Sequence, residues 1–299
     1  MNNRLLGKSS LRVSELGLGC MSLTGKDKSA DLRCIQRAFD AGINYFDTAD
    51  FYGFGENERL VGKAVSSFRS EIVIATKVGN RWNKDRENKT WDVSRDYIMQ
   101  ALDDSLQRLQ TDYIDLYQIH GGTIDDNFEE VIDTLERLVE VGKIRHFGIS
   151  SMRPNVFSYY AAQTNIVSNM IQYSMLDTRP EEFIDLFVEN NVSLIARGTL
   201  AQGILIDKEA TIYLDHNESV IKEIQNYVVT LAQRYNVSKQ SIILNYVLKN
   251  KAVASALVGV RTSEQLHAIN RAYGQLDSLP TAIFDDFVWP KNVYQEHRL

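Results

Sequence analysis

Short apolar, β-branched or aromatic runs alternate along this chain with stretches whose apolar residues recur at helical spacing. The strand-like runs fall at residues 16–20, 43–47, 72–76, 114–119, 144–149, 169–172, 192–196 and 254–258, eight in all. Between them, Ile98, Leu102, Leu106 and Leu109, then Val131, Leu135, Leu138 and Val139, follow the 3.6-residue period of a helix with one buried face. Gly42 and Gly142 stand where two such helices need a C-terminal cap. Ser94 and Ser238 stand where N-caps open others, and Asp125 is a third candidate. Ahead of the first run, residues 4–13 read as a short hairpin turning at Gly7 to Ser10.

Eight strand–helix units at this spacing predict an α/β fold, a (β/α)8 TIM barrel, with an N-terminal β-hairpin and a C-terminal extension. Residues 1–299 are expected to form one domain, with a long insertion at 200–250. The competing architecture is an open doubly wound sheet, usually marked by G-x-G-x-x-G after its first strand. Here Gly17-Leu18-Gly19-Cys20-Met21-Ser22 lacks the third glycine, and its glycines lie inside the strand. The barrel is the better fit.

Composition narrows the function classes. A 44% hydrophobic fraction suits a core that needs no disulfides, and Cys20 and Cys34 have no metal-ligand spacing. A net charge of −6 with both signs scattered argues against nucleic acid or an anionic membrane as the main partner. No apolar run approaches a membrane span, so a cytoplasmic location is expected. The other histidines show no metal spacing, so no metal site is expected.

The candidate chemistry lies at the strand ends. Asp47 closes the second run, Tyr52 follows five residues later, Lys77 follows the third and His120 the fourth. In a parallel barrel, functional groups sit at these C-terminal ends, so the four side chains should converge. A nearby ammonium favours a phenolate and would lower Tyr52, while Asp47 would keep Lys77 protonated. His120 could then orient a carbonyl oxygen. One Asp–Lys pair at a rim is more often structural, but four complementary groups on neighbouring strands point to catalysis. Such a unit hands a proton to a forming alkoxide and needs a hydride, which implies a nicotinamide.

The turn Asp47-Thr48-Ala49-…-Tyr52-Gly53, Lys77 after a β-branched strand, and His120 in Tyr117-Gln118-Ile119-His120 resemble the tetrad of the aldo-keto reductase superfamily. The likeness is nearest to the bacterial branch related to potassium-channel β-subunits. It implies reduction of aldehydes or ketones with NADPH: Tyr52 as general acid, Lys77 and Asp47 as its tuning pair, and His120 as orienter of a small carbonyl substrate.

The resemblance also implies cofactor contacts. Ser150, Ser151 and Gln172 match positions that hold the nicotinamide carboxamide, although serines after a strand often only cap a helix. Gly19, Met21, Gly198, Thr199, Leu200 and Gly203 match further contacts. Arg197 stands where the family usually has a stacking Tyr or Trp. It could stack on the ring, pair with the pyrophosphate or leave the site. Gly259, Arg261 and Thr262 form a glycine-then-helix phosphate position, where Arg261 could clamp a 2′-phosphate. Gln265 matches an adenosine contact. Where the family often has Asn, this chain has Ile269, with Asn270 adjacent as the substitute.

Phe51, Trp82 and Trp91 are candidate walls for an apolar or sugar-like aldehyde, although the tryptophans could simply pack their loop down. The polar-aromatic tail from Tyr294 to Arg298 could fold over the cofactor, but a frayed end is the expectation. Two other functions compete. One is a nucleotide-sensing regulatory subunit, the other an isomerase of phosphorylated sugars, which would want a rim glutamate base that the sequence does not offer.

Overall fold

The computed structural model describes residues 1–83 and 87–298. The opening hairpin is β1 (Asn3–Leu5) paired antiparallel with β2 (Arg12–Ser14). Eight parallel strands then close into a barrel: β3 (Leu16–Gly19), β4 (Tyr45–Asp47), β5 (Val73–Val78), β8 (Ile114–Ile119), β9 (Ile144–Ile149), β10 (Ser168–Gln172), β11 (Ser193–Arg197) and β12 (Val253–Val258). They neighbour one another in chain order, with β12 beside β3 and β9 beside β10. An unpredicted hairpin, β6 (Asn80–Trp82) against β7 (Lys89–Trp91), rises from the loop after β5.

The surrounding helices are α1 (Lys28–Asp40), α2 (Glu56–Val65), α3 (Arg95–Leu109), α4 (Phe128–Glu140), α5 (Pro154–Gln163), α6 (Ile184–Glu189), α7 (Glu218–Tyr235), α8 (Lys239–Leu248) and α9 (Ser263–Gly274). The stretch at 200–250 thus contributes two full helices. Gly42 and Gly142 each follow a helix end at positive φ, as expected of C-terminal caps. Ser238 caps α8 with its side chain, whereas Ser94 stands at the N-cap of α3 without such a bond. Asp125 is not a cap. Asn127, two residues on, accepts from the Glu130 amide and opens α4.

Strand alternation sorts the core into two parts. Tyr45, Val73, Ala75, Leu116, Met170, Ile195 and Leu257 fill the lumen, and Leu6 and Val13 of the hairpin join them. Phe46, Ile74 and Tyr117 face outward and join Ile98, Leu102, Val131 and Leu135 of the helices. Gly17 is dictated by this packing: a Cβ there would lie 2.6 Å from the Tyr45 ring and 2.7 Å from Leu257.

The C-terminal tail does not fray. Asn292 is buried and its Oδ1 accepts from the amide and hydroxyl of Thr178 at 2.8 and 3.0 Å. Tyr294 is 5% exposed against Phe157 and Phe183, and the Arg179 guanidinium covers its ring. The His297 carbonyl accepts from the Asn155 amide, so polar and aromatic groups together dock the segment on α5 and the turn before α6.

Candidate functional site

Asp47 ends β4, Lys77 lies in the last turn of pleat of β5, and His120 follows β8, three neighbouring strands. The register sets Asp47 opposite Ala75, so Lys77, two residues further along, emerges on the same face. Its Nζ donates to both Asp47 oxygens at 2.7 and 2.8 Å and to the Thr48 carbonyl at 2.7 Å. The ammonium is 1% exposed and lies 5.2 Å from the Tyr52 ring centroid. The His120 ring meets Tyr52 edge-on, with centroids 6.0 Å apart. All four sequence-predicted groups therefore come together.

Their electrostatics follow from burial and from one another. Burial alone would lower Lys77, but Asp47 and Tyr52 outweigh it and hold the ammonium above its ordinary value. Burial lifts Asp47 against the pull of Lys77. Burial also raises Tyr52, and Lys77 does not cancel it, so the expected lowering of the phenol is not found. Desolvation, with Lys77 and Arg197 nearby, pushes His120 down to about 3, so its imidazole is neutral at physiological pH.

A second tier, unforeseen from sequence, supports these residues. Thr48 Oγ1 donates to Asn57, whose amide bonds the carbonyls of Cys20 and Leu23 at 2.8 Å each. Glu58 is fully buried and accepts from Thr76 Oγ1, beside Lys77, and from Arg108 Nε, both at 2.6 Å. The signal was available: Glu58 shares a helix face with Val61 and Val65, and an acid among apolar positions demands partners. Between Tyr52 and α2, Gly53 and Phe54 are both left-handed (φ 57° and 58°), turning the chain sharply after the tyrosine.

The remaining strand ends carry the other candidates. Ser151 is braced by Asn169, which accepts from its amide at 3.0 Å and donates to its carbonyl, while the Ser150 amide bonds Ile119. Gln172 ends β10 and Arg197 ends β11, paired in register. The Gln172 amide donates to the Tyr213 hydroxyl at 3.1 Å and accepts from Arg197 Nη1 at 3.4 Å. Arg197 Nη2 also reaches the Met152 sulfur at 3.1 Å, so the guanidinium lies along the rim. Tyr213 was missed because it arrives on the long segment after β11, in a turn closed by reciprocal backbone bonds with His216.

Gly198 and Gly203 have positive φ, while Thr199 is buried with its hydroxyl on the Ala196 carbonyl. Leu200 is half-buried beside them. Thr262 caps α9, and the Gln265 side chain accepts from the Arg261 amide at 2.8 Å; Gly259 and Arg261 are exposed. Gly19 is half-buried and Met21 exposed after β3. Ile269 is buried in the core, and Asn270, one helical step on, lines a groove of about 660 Å³ with Arg37, Asp40 and His267 between α1 and α9.

Aromatic side chains flank the tetrad. Phe51 stacks on Trp82 with centroids 4.1 Å apart, and the indole donates to the Phe51 carbonyl. Trp91 covers Gly79, where a Cβ would lie 2.6 Å from the ring, and donates to Asp126 at 2.7 Å. Both tryptophans therefore pin the β6–β7 hairpin down as well as stand near the mouth. Among the described residues, no group of three His, Cys, Asp or Glu side chains could hold a metal ion, and no helix is long and apolar enough to cross a membrane.

Comparison with known proteins gives this geometry a lineage. The Aldo/keto reductase family profile matches residues 15–287. The chain is 44% identical over 275 residues to an uncharacterized oxidoreductase, YqkF, of Bacillus subtilis, covering 89% of each chain. It is 33% identical over 203 residues to the aldo-keto reductase yakc [NADP(+)] of Schizosaccharomyces pombe, covering 64% of this chain and 60% of the yeast protein. The holo form of aldo-keto reductase AKR11C1 from Bacillus halodurans superposes with a TM-score of 0.91 at 42% identity, over 100% of both chains. Its apo form gives 0.83. This chain belongs to the aldo-keto reductase family of oxidoreductases.

Proposed function

We propose that this protein reduces aldehydes or ketones to alcohols with NADPH. The observation that carries this reading is the buried Lys77 ammonium, held by three oxygens of Asp47 and Thr48, beside Tyr52 and a neutral His120. Bound reduced nicotinamide supplies the hydride. Tyr52 gives its proton to the carbonyl oxygen as that oxygen becomes an alkoxide, and Lys77 stabilises the phenolate left behind. Asp47 and the Thr48 carbonyl hold the ammonium in place. His120, being neutral, orients the carbonyl without competing for the proton.

The cofactor cradle fits the reading. Arg261 is exposed at the N-terminal end of a 12-residue helix, where backbone N–H groups and a guanidinium favour a phosphate. Gln172 and the serines after β9 offer amide and hydroxyl partners for a carboxamide. The name of the yeast relative and the closer likeness to a holo form point the same way. NADPH absorbance followed over a panel of aldehydes and ketones tests it. Tyr52→Phe is expected to keep NADPH affinity while turnover falls roughly 10²- to 10⁴-fold; unchanged turnover in that variant contradicts the mechanism.

A further inference from the structure

Tyr52 and Lys77 reach one place from different elements, the first from the turn after β4 and the second from β5. A closed circuit of hydrogen bonds fixes the spacing between them. The end of β5 takes hold of the turn through its backbone. The Ala75 carbonyl accepts from the Thr48 amide at 2.9 Å, and the Lys77 carbonyl accepts from the Asp50 amide at 3.3 Å. Beyond Tyr52 the chain enters α2, and two neighbours in its first turn reach back to both sides of the circuit. Asn57 accepts from Thr48 Oγ1 at 2.7 Å, and Glu58 accepts from Thr76 Oγ1 at 2.6 Å. Ala75 and Lys77 face the lumen, so strand alternation puts Thr76 on the outer face of β5. Glu58 therefore holds the strand from behind, one residue before the ammonium.

Glu58 is itself anchored by a third element. Its Oε2 accepts from Arg108 Nε at 2.6 Å and from Ser105 Oγ at 3.3 Å, both on α3. Arg108 Nη2 also donates to Ser105 Oγ at 2.9 Å. Thr76 and Ser105 are fully buried, like Glu58. Gly55 makes room for the pair, since a Cβ there would lie 2.6 Å from Arg108 Cδ. Burial and the nearby Glu58 push the Asp50 carboxyl well up, so the acid is felt in the turn that carries Tyr52. Stability alone is a weak reason for such a pair. Buried ion pairs seldom outperform apolar side chains of similar volume, and this face of α2 continues with Val61 and Val65.

We propose that Glu58 and Arg108 are positioning residues of the reduction: through Thr76 they hold the Lys77 ammonium at the spacing from Tyr52 at which the phenol gives up its proton. This deepens the reductase reading and rests on it for the reaction being positioned. Thr76→Val deletes the hydroxyl that joins β5 to Glu58 at nearly constant volume, on the face of the strand turned away from the mouth. For aldehyde reduction, kcat is expected to fall roughly 10- to 100-fold, with KM and the NADPH dissociation constant unchanged. The solvent deuterium isotope effect on kcat should grow, because the proton is then delivered from a displaced group. Thr76→Ser, which restores the hydroxyl, should recover most of the rate. Glu58→Leu combined with Arg108→Met should unfold in urea near the wild-type midpoint yet turn over as slowly as Thr76→Val. In crystal structures, the separation of Lys77 Nζ from the Tyr52 ring centroid, 5.2 Å in the wild-type chain, should change in Thr76→Val by more than about 0.5 Å.

A wild-type rate in Thr76→Val, or in the folded double variant, overturns the positioning role. So does a loss that appears only in KM, or one that Thr76→Ser does not recover. If the double variant fails to fold, the two Thr76 variants decide. No reduction by the wild-type protein removes the reductase reading, and the crystal structures then decide alone: a shifted ammonium upholds the hold of Glu58 on Lys77, and an unmoved one overturns it.

Discussion

At Tyr52, burial and the Lys77 ammonium act on the phenol in opposite directions, and burial wins in the free protein. The phenol therefore keeps its proton throughout the neutral range, and activity should be lost only on the alkaline side, above the ordinary tyrosine value. His120, at about 3, should add no inflection near pH 6.5 to the kcat profile, which a pH series of kcat will reveal. Its stability effect has a definite sign. The folded-state value lies below the unfolded one, so His120 contributes stability that is present above pH ~6.5 and lost as pH falls toward the folded value. His120→Asn should weaken the decline in urea-unfolding free energy between those limits. Lys77→Met leaves Asp47 buried without its cation, and a loss of about 3–5 kcal/mol is expected by the same denaturation.

Among the elements, the β6–β7 hairpin and the tail are where local geometry decides the most. Gly79 has φ 125° and supports the Trp91 ring, so Gly79→Ala is strained in backbone and blocked in space. It should lift the hairpin, raise KM for aldehyde substrates and leave the barrel's far-UV circular dichroism intact. In the tail, Asn292→Ala would strand the buried Thr178 amide and hydroxyl, costing about 1–3 kcal/mol; an unchanged unfolding midpoint would show that the tail is not docked. The strands were legible because each buried strand is a short apolar run, and the alternation of runs and helices imposed the barrel order. Boundaries shifted by one or two residues where a functional group sits: Lys77 lies inside β5, and Arg197 closes β11. The docked tail and the β6–β7 hairpin were not legible, since their partners, Thr178 for the tail and Phe51 and Asp126 for the hairpin, are distant in the chain and brought near only by the closed barrel.

For the molecule as a whole, the closed barrel turns residues scattered over the chain into one rim. Asp47, Tyr52, Lys77 and His120 were readable because each lies at or shortly past the C-terminal end of a strand. Glu58, Asn57 and Tyr213 were not, because their meaning lies in contacts with Thr76, Thr48 and Gln172 that periodicity does not reveal. Ile269 shows the reverse case, where one position along a helix separates the core from the groove lined by Asn270. The central claim is that this rim moves a hydride and a proton onto a carbonyl. Single-turnover reduction of an aldehyde with NADPH deuterated at both C4 positions of the nicotinamide tests it most directly, with the product read by mass spectrometry. The account predicts one deuterium on the carbinol carbon with the wild-type protein, and formation of that product roughly 10²- to 10⁴-fold slower with Tyr52→Phe. An alcohol free of deuterium, or equal rates in the two proteins, would contradict it.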